Sequence, residues 1–198
     1  MSVQQFFLCC IVILTGCNNK KPVQALNPSS TVIVADADTA TSFFPVTAYL
    51  KGEIFSIKNN GITPVKKTIT GKHTDSSFVK TDSLEAVFLA FLYPVIDTGN
   101  LKGIFTEKKF LDQTLNAFTY TYDPVNNHTE GFAFRHWDIY VSPDTRKVSR
   151  VYLVKNAGPG REMLLTWQSG KWCKTVWLKS VNGKTSIERE EKISWSYE

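Results

Sequence analysis

The stretch Arg135-His136-Trp137-Asp138 holds the densest group of side chains that could carry chemistry. His136 and Asp138 are two residues apart in an aromatic and β-branched run, so a strand would place both on one side of its pleat. An imidazole beside a carboxylate suits a general base with an orienting group, and it equally suits a structural hydrogen bond. We favour the second alternative and expect Arg135, His136 and Asp138 to form a polar cluster without catalytic function.

Other catalytic or cofactor motifs are missing from the sequence. The three histidines, His73, His128 and His136, show no metal-ligand spacing such as H-E-x-x-H. There is no G-x-S-x-G, no glycine-rich phosphate loop, and no pattern that would activate Cys173 as a thiolate. Asp36 and Asp38 form a D-x-D that we interpret as solvated loop carboxylates. We therefore expect no metal and no cofactor, and the sequence does not indicate an enzyme.

A short apolar run, Phe6 to Leu14, lies near the N-terminus. It is too short to span a bilayer, which takes about 20 apolar residues, but it suits the apolar region of a signal peptide. Leu14-Thr15-Gly16-Cys17 follows at its end and resembles the lipobox of bacterial lipoproteins. One feature departs from that family, because Met1 to Gln5 contain no Lys or Arg. The alternative is a buried N-terminal element with an incidental cysteine.

The resemblance implies cleavage before Cys17 and attachment of a lipid to its thiol, with palmitate among the acyl groups. Two acyl chains suffice for stable anchoring, so the folded domain need not touch the membrane. We expect a signal peptide at 1–16, a lipidated tether at 17–42 and a single domain at 43–198. Because no acidic residue follows Cys17 directly, we expect an outer-membrane lipoprotein of the cell envelope that faces the periplasm.

Charge and cysteine content further limit the class of protein. The net charge of +5 comes from scattered lysines, which predicts a solvated surface rather than a nucleic-acid partner. After cleavage and lipidation only Cys173 is left, so the mature domain has no intrachain disulfide. With 42% hydrophobic residues the domain must be stabilised by its core.

The first half of the domain predicts helices. Val46, Leu50, Ile54 and Ile57 recur at helical spacing and predict a helix over 45–60, ended by Gly61. A second, wider stripe from Leu84 to Val95 predicts a helix over 83–93, with Asp82 and Glu85 as a capping box and Pro94 as its end. Two short strands are expected at 63–70 and 77–80, around a turn at 71–76. The pattern between 97 and 116 fits either a helix or a strand, and a short edge strand at Val32-Ile33-Val34 is left open.

From Phe118 the period changes to that of strands. Six runs of alternating or β-branched residues are separated by turn signals, among them Asn182-Gly183, the strongest short hairpin signal. We therefore predict an α+β fold in two layers, with two or three helices packed on an antiparallel meander of about six strands.

The two-residue turn at Asn182-Gly183 also predicts a register. It pairs Trp172 with Ile193 and Leu178 with Ile187 on the core face, and it leaves Trp177 on the solvated face. Continued through Ser169-Gly170, it pairs Trp167 with Trp172. Because exposed aromatic residues are enriched where partners dock, Trp177 is a candidate partner contact.

Two functions remain. The first is a non-catalytic, lipid-anchored binding or assembly module with an unidentified protein partner. The second is a carrier or sensor of an apolar ligand, bound in a cavity beneath the helix from Leu84 to Val95. Trp137, Trp167 and Trp172 would line such a cavity, although the same residues would also fill an ordinary core.

Overall fold

One antiparallel sheet of nine strands dominates the computed structural model, which describes residues 43–97, 99, 101, 103–125 and 132–196. The strands are β1 Val65–Thr70, β2 His73–Phe78, β3 Phe105–Asp112, β4 Ala117–Pro124, β5 Phe134–Val141, β6 Val148–Asn156, β7 Arg161–Gln168, β8 Trp172–Val181 and β9 Lys184–Ser194. Their order in the sheet is β2-β1-β9-β8-β7-β6-β5-β4-β3. The described part of the chain is thus mostly β-structure, with short helices on one face of the sheet.

The first predicted helix is confirmed as α1, Val46–Asn59. Its buried residues include Val46, Leu50, Ile54 and Ile57, and Gly61 follows it with φ +65°. Two polar contacts fix α1 to the end of β7 and to the loop that follows it. The Glu53 carboxylate accepts hydrogen bonds from Trp167 Nε1 at 3.3 Å and from the Gly170 amide at 2.9 Å.

The second predicted helix is broken into α2, Leu84–Val87, and α3, Leu89–Leu92, after a 3₁₀ turn at Thr81–Ser83. The break lies at Phe88, whose carbonyl accepts from the Phe91 amide at 2.9 Å, so one turn is tightened. The buried stripe is nevertheless the predicted one, with Leu84, Phe88, Phe91 and Leu92 facing the sheet.

The predicted six-strand meander is confirmed as β4 to β9, but the total of about six strands is too low. The turn between β1 and β2 is only Gly71-Lys72, so His73 to Ser76 belong to a strand and not to the turn. The ambiguous region before Phe118 supplies β3. β1 then joins the far side of the meander by pairing with β9.

The predicted register holds next to the Asn182-Gly183 turn, where Leu178 pairs with Ile187, and is wrong beyond it. A bulge between Trp177 and Leu178 shifts the pairing by one residue, so Cys173, not Trp172, lies opposite Ile193. The loop after β7 has three residues rather than two, which pairs Trp167 with Cys173. Trp172 therefore lies on the face opposite to the one predicted, and so does Trp177.

The core lies between the helices and the sheet and is built largely from aromatic rings. Phe88 makes edge contacts with Trp167 and Trp195, and Tyr122 stacks on Trp137 at 4.8 Å between ring centroids. Trp137 and Trp167 are completely buried. Trp167 and Trp195 occupy the space beneath Phe88, at the junction of α2 and α3.

The residues of the predicted signal peptide and tether, including Cys17, Asp36, Asp38 and the strand at 32–34, lie outside the described part of the chain. Within that part, no helix combines the length and apolar character that a membrane crossing requires.

Candidate functional site

The sheet face that bears no helix, called here the open face, carries the predicted polar cluster. On β4 and β5 its residues include Thr121, Asp123, His136, Asp138 and Tyr140. His136 and Asp138 lie on one side of β5, as their spacing predicts. Asp123, which comes from β4, was not foreseen because strand pairing brings it there from 13 positions away.

His136 lies between two carboxylates. Its Nδ1 donates to Asp123 Oδ1 at 2.8 Å, and its Nε2 donates to Asp138 Oδ2 at 2.9 Å. Lys108 contacts the other oxygen of Asp123 at 3.1 Å, and the Thr121 hydroxyl donates to Asp138 at 2.6 Å. The result is a ladder of alternating charge across β3, β4 and β5, which we call the His136 ladder.

The carboxylates hold the imidazole in its charged form. The hydrogen bond to Asp138 raises the pKa of His136 from 6.5 to about 9; partial burial opposes this rise and the bond to Asp123 adds to it. Burial is the largest single influence on each carboxyl and raises its pKa, but the hydrogen bonds and positive charges around the carboxyl together outweigh burial. The net effect lowers the pKa of both Asp123 and Asp138, and the hydrogen bond from His136 is the largest of the lowering causes. At neutral pH the ladder thus contains an imidazolium between two carboxylates.

This geometry does not provide a general base. A doubly protonated imidazole has no lone pair to accept a proton, and both of its N–H groups already donate to carboxylates. Asp138 is itself occupied, since it also accepts from Thr121 and from Tyr140. The arrangement fixes charges in place.

Arg135 does not take part in the ladder. It is the extra residue of a bulge between Phe134 and His136, and its guanidinium contacts Glu162 of β7 at 3.0 Å. Arg135 and Glu162 line a groove beside the turn Gly158-Pro159-Gly160. Arg161 is likewise paired, with Glu188 at 3.3 Å, so both arginines among the described residues of the groove are already in ion pairs.

Trp177 lies on the helix-bearing face, in line with Cys173 and Thr175, since β8 runs without a bulge between these residues. Trp177 is half-buried, and the guanidinium of Arg189 lies over its ring, 5.0 Å from the ring centroid. The register that motivated a partner contact at Trp177 is therefore wrong, while the contact itself stays a prediction. The tryptophan on the open face is Trp172, covered by Lys192 at 4.9 Å.

Lys155 is a site residue that sequence reasoning missed. It lies on β6 in line with buried Val151 and Leu153, and only 7% of it is exposed. Its ammonium donates to the carbonyl of Ala90 at 2.7 Å and to that of Tyr93, at the C-terminal end of α3. Burial lowers the pKa of Lys155 from 10.5 to about 8. The signal was present as a lysine at a core position of the alternating VYLVK run.

An apolar cleft of about 200 Å³ lies at this end of the core. Its walls are Pro94 and Val95 after α3, Leu101, Phe105 of β3, and 132–134 at the start of β5. Phe134 forms part of the wall, and its ring centroid is 5.4 Å from the Lys155 ammonium.

The remaining candidates are inert. Cys173 is buried, and burial raises the pKa of its thiol, so it stays protonated. Across the described ranges, no three His, Cys, Asp or Glu side chains are grouped so that they could hold a metal ion.

Comparison of the chain with protein-family models, curated proteins and solved structures gave no match.

Proposed function

We propose that this protein is a non-catalytic binding or assembly module, held at a bacterial membrane by a lipid on Cys17, and that it contacts a protein partner through the open face of its sheet. The membrane part of the proposal is supported by the apolar run and the Leu14-Thr15-Gly16-Cys17 sequence. An outer-membrane site facing the periplasm belongs to the same proposal.

The observation that carries the binding part is the His136 ladder on a face without helices. Its charges are fixed by hydrogen bonds of 2.6 to 2.9 Å rather than carried on free side chains. Fixed, alternating charges favour a partner of complementary pattern and penalise others, which gives specificity more than raw affinity. Half-buried Tyr152 and Trp172 lie on the same face and add aromatic area of the kind found at binding hot spots.

The anchor is tested by Cys17→Ala, with Cys173→Ala as the matched control. Without the Cys17 thiol no lipid can be attached, so we expect the variant to leave the membrane pellet and to incorporate no labelled palmitate. Cys173→Ala should stay in the pellet because its thiol is enclosed by the sheet. Retention of Cys17→Ala in the pellet would refute the anchor.

The binding face is tested in cells with a photo-crosslinking residue. We expect a discrete adduct from position Thr166 in the middle of the open face, and none from position Lys51 on the exposed side of α1. Loss of the Thr166 adduct when His136→Gln breaks the ladder would tie the contact to the fixed charges. Equal labelling from both positions would mean that the open face has no special role.

The apolar cleft supports a second candidate, a carrier or sensor of an apolar ligand. This cleft is not in the predicted place. Directly beneath α2 and α3 the ring of Trp167 packs against Phe88 and Phe91, and the cleft lies beyond the end of α3.

A further inference from the structure

Three lysines that are far apart in sequence are neighbours on the open face. Lys174 of β8 lies opposite Lys192 of β9, and Lys192 lies opposite Lys67 of β1. Because neighbouring strands are about 4.8 Å apart, the three side chains leave the sheet in one line across it. We call these three residues the lysine row. Thr166 of β7 is the next position in the same line.

The row is unfavourable for the sheet itself. Like charges at directly opposite positions of two antiparallel strands are destabilising, and the row contains two such pairs. Two of its side chains turn to other partners. Lys174 contacts Glu190 at 3.5 Å, and the Lys192 ammonium lies over the Trp172 ring, 4.9 Å from the ring centroid. Because folding gains nothing from the repulsion, a role in binding is the better explanation of the row.

Most of the positive charge of the row is available to a partner. Lys67 and Lys192 are exposed, and no carboxylate of the described residues lies within ion-pair distance of either ammonium. The row and Glu190 together carry three positive charges and one negative charge, a net charge of +2. A patch of one sign attracts a partner surface of the opposite sign and repels others.

The rest of the open face favours an acidic protein segment over an anionic membrane. A flat bilayer on this face would meet the carboxylates of Asp123, Asp138 and Glu190 as well as the lysines. A segment of a protein can place its carboxylates over the row alone and leave the His136 ladder to other side chains. Local charge complementarity of this kind is typical of protein interfaces.

We propose that the lysine row binds an acidic segment of the protein partner, with Asp or Glu side chains paired with Lys67 and Lys192. This rests on the proposed function, in which the open face contacts a protein, and names the chemistry of that partner. Carboxylates above the row also relieve the repulsion between its lysines, so the arrangement that is unfavourable in the free protein becomes favourable in the complex.

The test in cells uses the full chain with the photo-crosslinking residue at Thr166, next to the row. The row variant carries Lys67→Gln and Lys192→Gln, and the matched control carries Lys51→Gln and Lys58→Gln on the exposed side of α1. An exposed ion pair contributes up to about a fivefold gain in affinity, so we expect the row variant to reduce the adduct about fivefold or more. The control should leave it unchanged, and mass spectrometry of the adduct should identify a peptide rich in Asp and Glu.

A titration of the purified full chain measures the charge selectivity directly. The probe is a fluorescent oligoglutamate peptide, and the readout is fluorescence anisotropy. The row variant should bind it about fivefold to tenfold more weakly than the unaltered protein, and the α1 control should stay within a factor of about two. Both substituted lysines of the row are exposed, so the variant should fold, which circular dichroism checks. Equal losses in the two variants would show that the peptide responds to net charge alone and would refute the row as a site.

The results in cells separate this inference from the proposed function. If Thr166 gives a protein adduct that the row variant does not reduce, the partner binds the open face without the row, and only the inference is refuted. If the adduct is with lipid, the open face lies against a membrane, and both the inference and the protein partner are refuted. If Thr166 gives no adduct, both are refuted as well.

Discussion

His136 contributes stability through its charge, because the folded protein supplies two carboxylates that an unfolded chain does not. Its pKa is about 9 in the folded state against 6.5 for the free side chain. The contribution is therefore complete below pH 6.5 and is lost as the pH rises to about 9, with an upper limit of about 3 kcal/mol for a partly exposed group.

We expect His136→Gln to be less stable than the unaltered protein at pH 6, with the difference in the free energy of unfolding shrinking steadily up to pH 9. Denaturant unfolding at half-unit pH intervals measures this. His73→Gln, at an exposed position of β2, is the control for the substitution itself. A constant difference across the range would mean that the imidazole is not charged in the folded state.

The two polar sites differ in how far a sequence reveals them. His136 and Asp138 share a side because they are two apart on one strand, and that is a local property. Asp123 reaches His136 only through the pairing of β4 with β5, and Lys155 meets Ala90 and Tyr93 only through the packing of α3. Contacts between residues so far apart in sequence cannot be predicted from a local sequence pattern.

At the scale of elements, periodicity located the helices and six of the strands, whereas the register depended on details that the pattern does not contain. Glu188 is the extra residue of a bulge, and the loop Ser169-Gly170-Lys171 is one residue longer than the shortest turn. Each adds a single residue, and a shift of one exchanges the two faces of a strand.

That exchange predicts unequal roles for two tryptophans. Trp167 is completely buried against Phe88 and Phe91, so Trp167→Ala should cost roughly 3 to 5 kcal/mol of unfolding free energy. Trp172 is half-buried on the open face, so Trp172→Ala should cost clearly less. Chemical denaturation of both variants decides the matter, and equal losses would show that another layer covers the open face.

At the scale of the whole molecule, the two-layer arrangement was predicted, but the size of the sheet was not. The strand predicted at 63–70 is β1, but β2 was predicted too short and β3 was left undecided. Both are polar strands at the edges of the sheet, where alternation is weak. All six residues of β2 are exposed, and only Phe105 of β3 is buried. A strand without a buried side leaves little period-2 signal in its sequence.

The pairing of β1 with β9 sets the order in which the chain can fold. Each other neighbouring pair of strands is joined by a connection that is short in sequence. In contrast, Lys66 of β1 pairs with Ile193 of β9, so β1 can pair with β9 only after most of the chain has been synthesised. Until Lys184–Ser194 has left the ribosome, the first hairpin has only its own two strands to pair and exposes both of its edges. Closing so long a loop is slow, and unpaired edges promote aggregation, so the last strand controls when the first is protected.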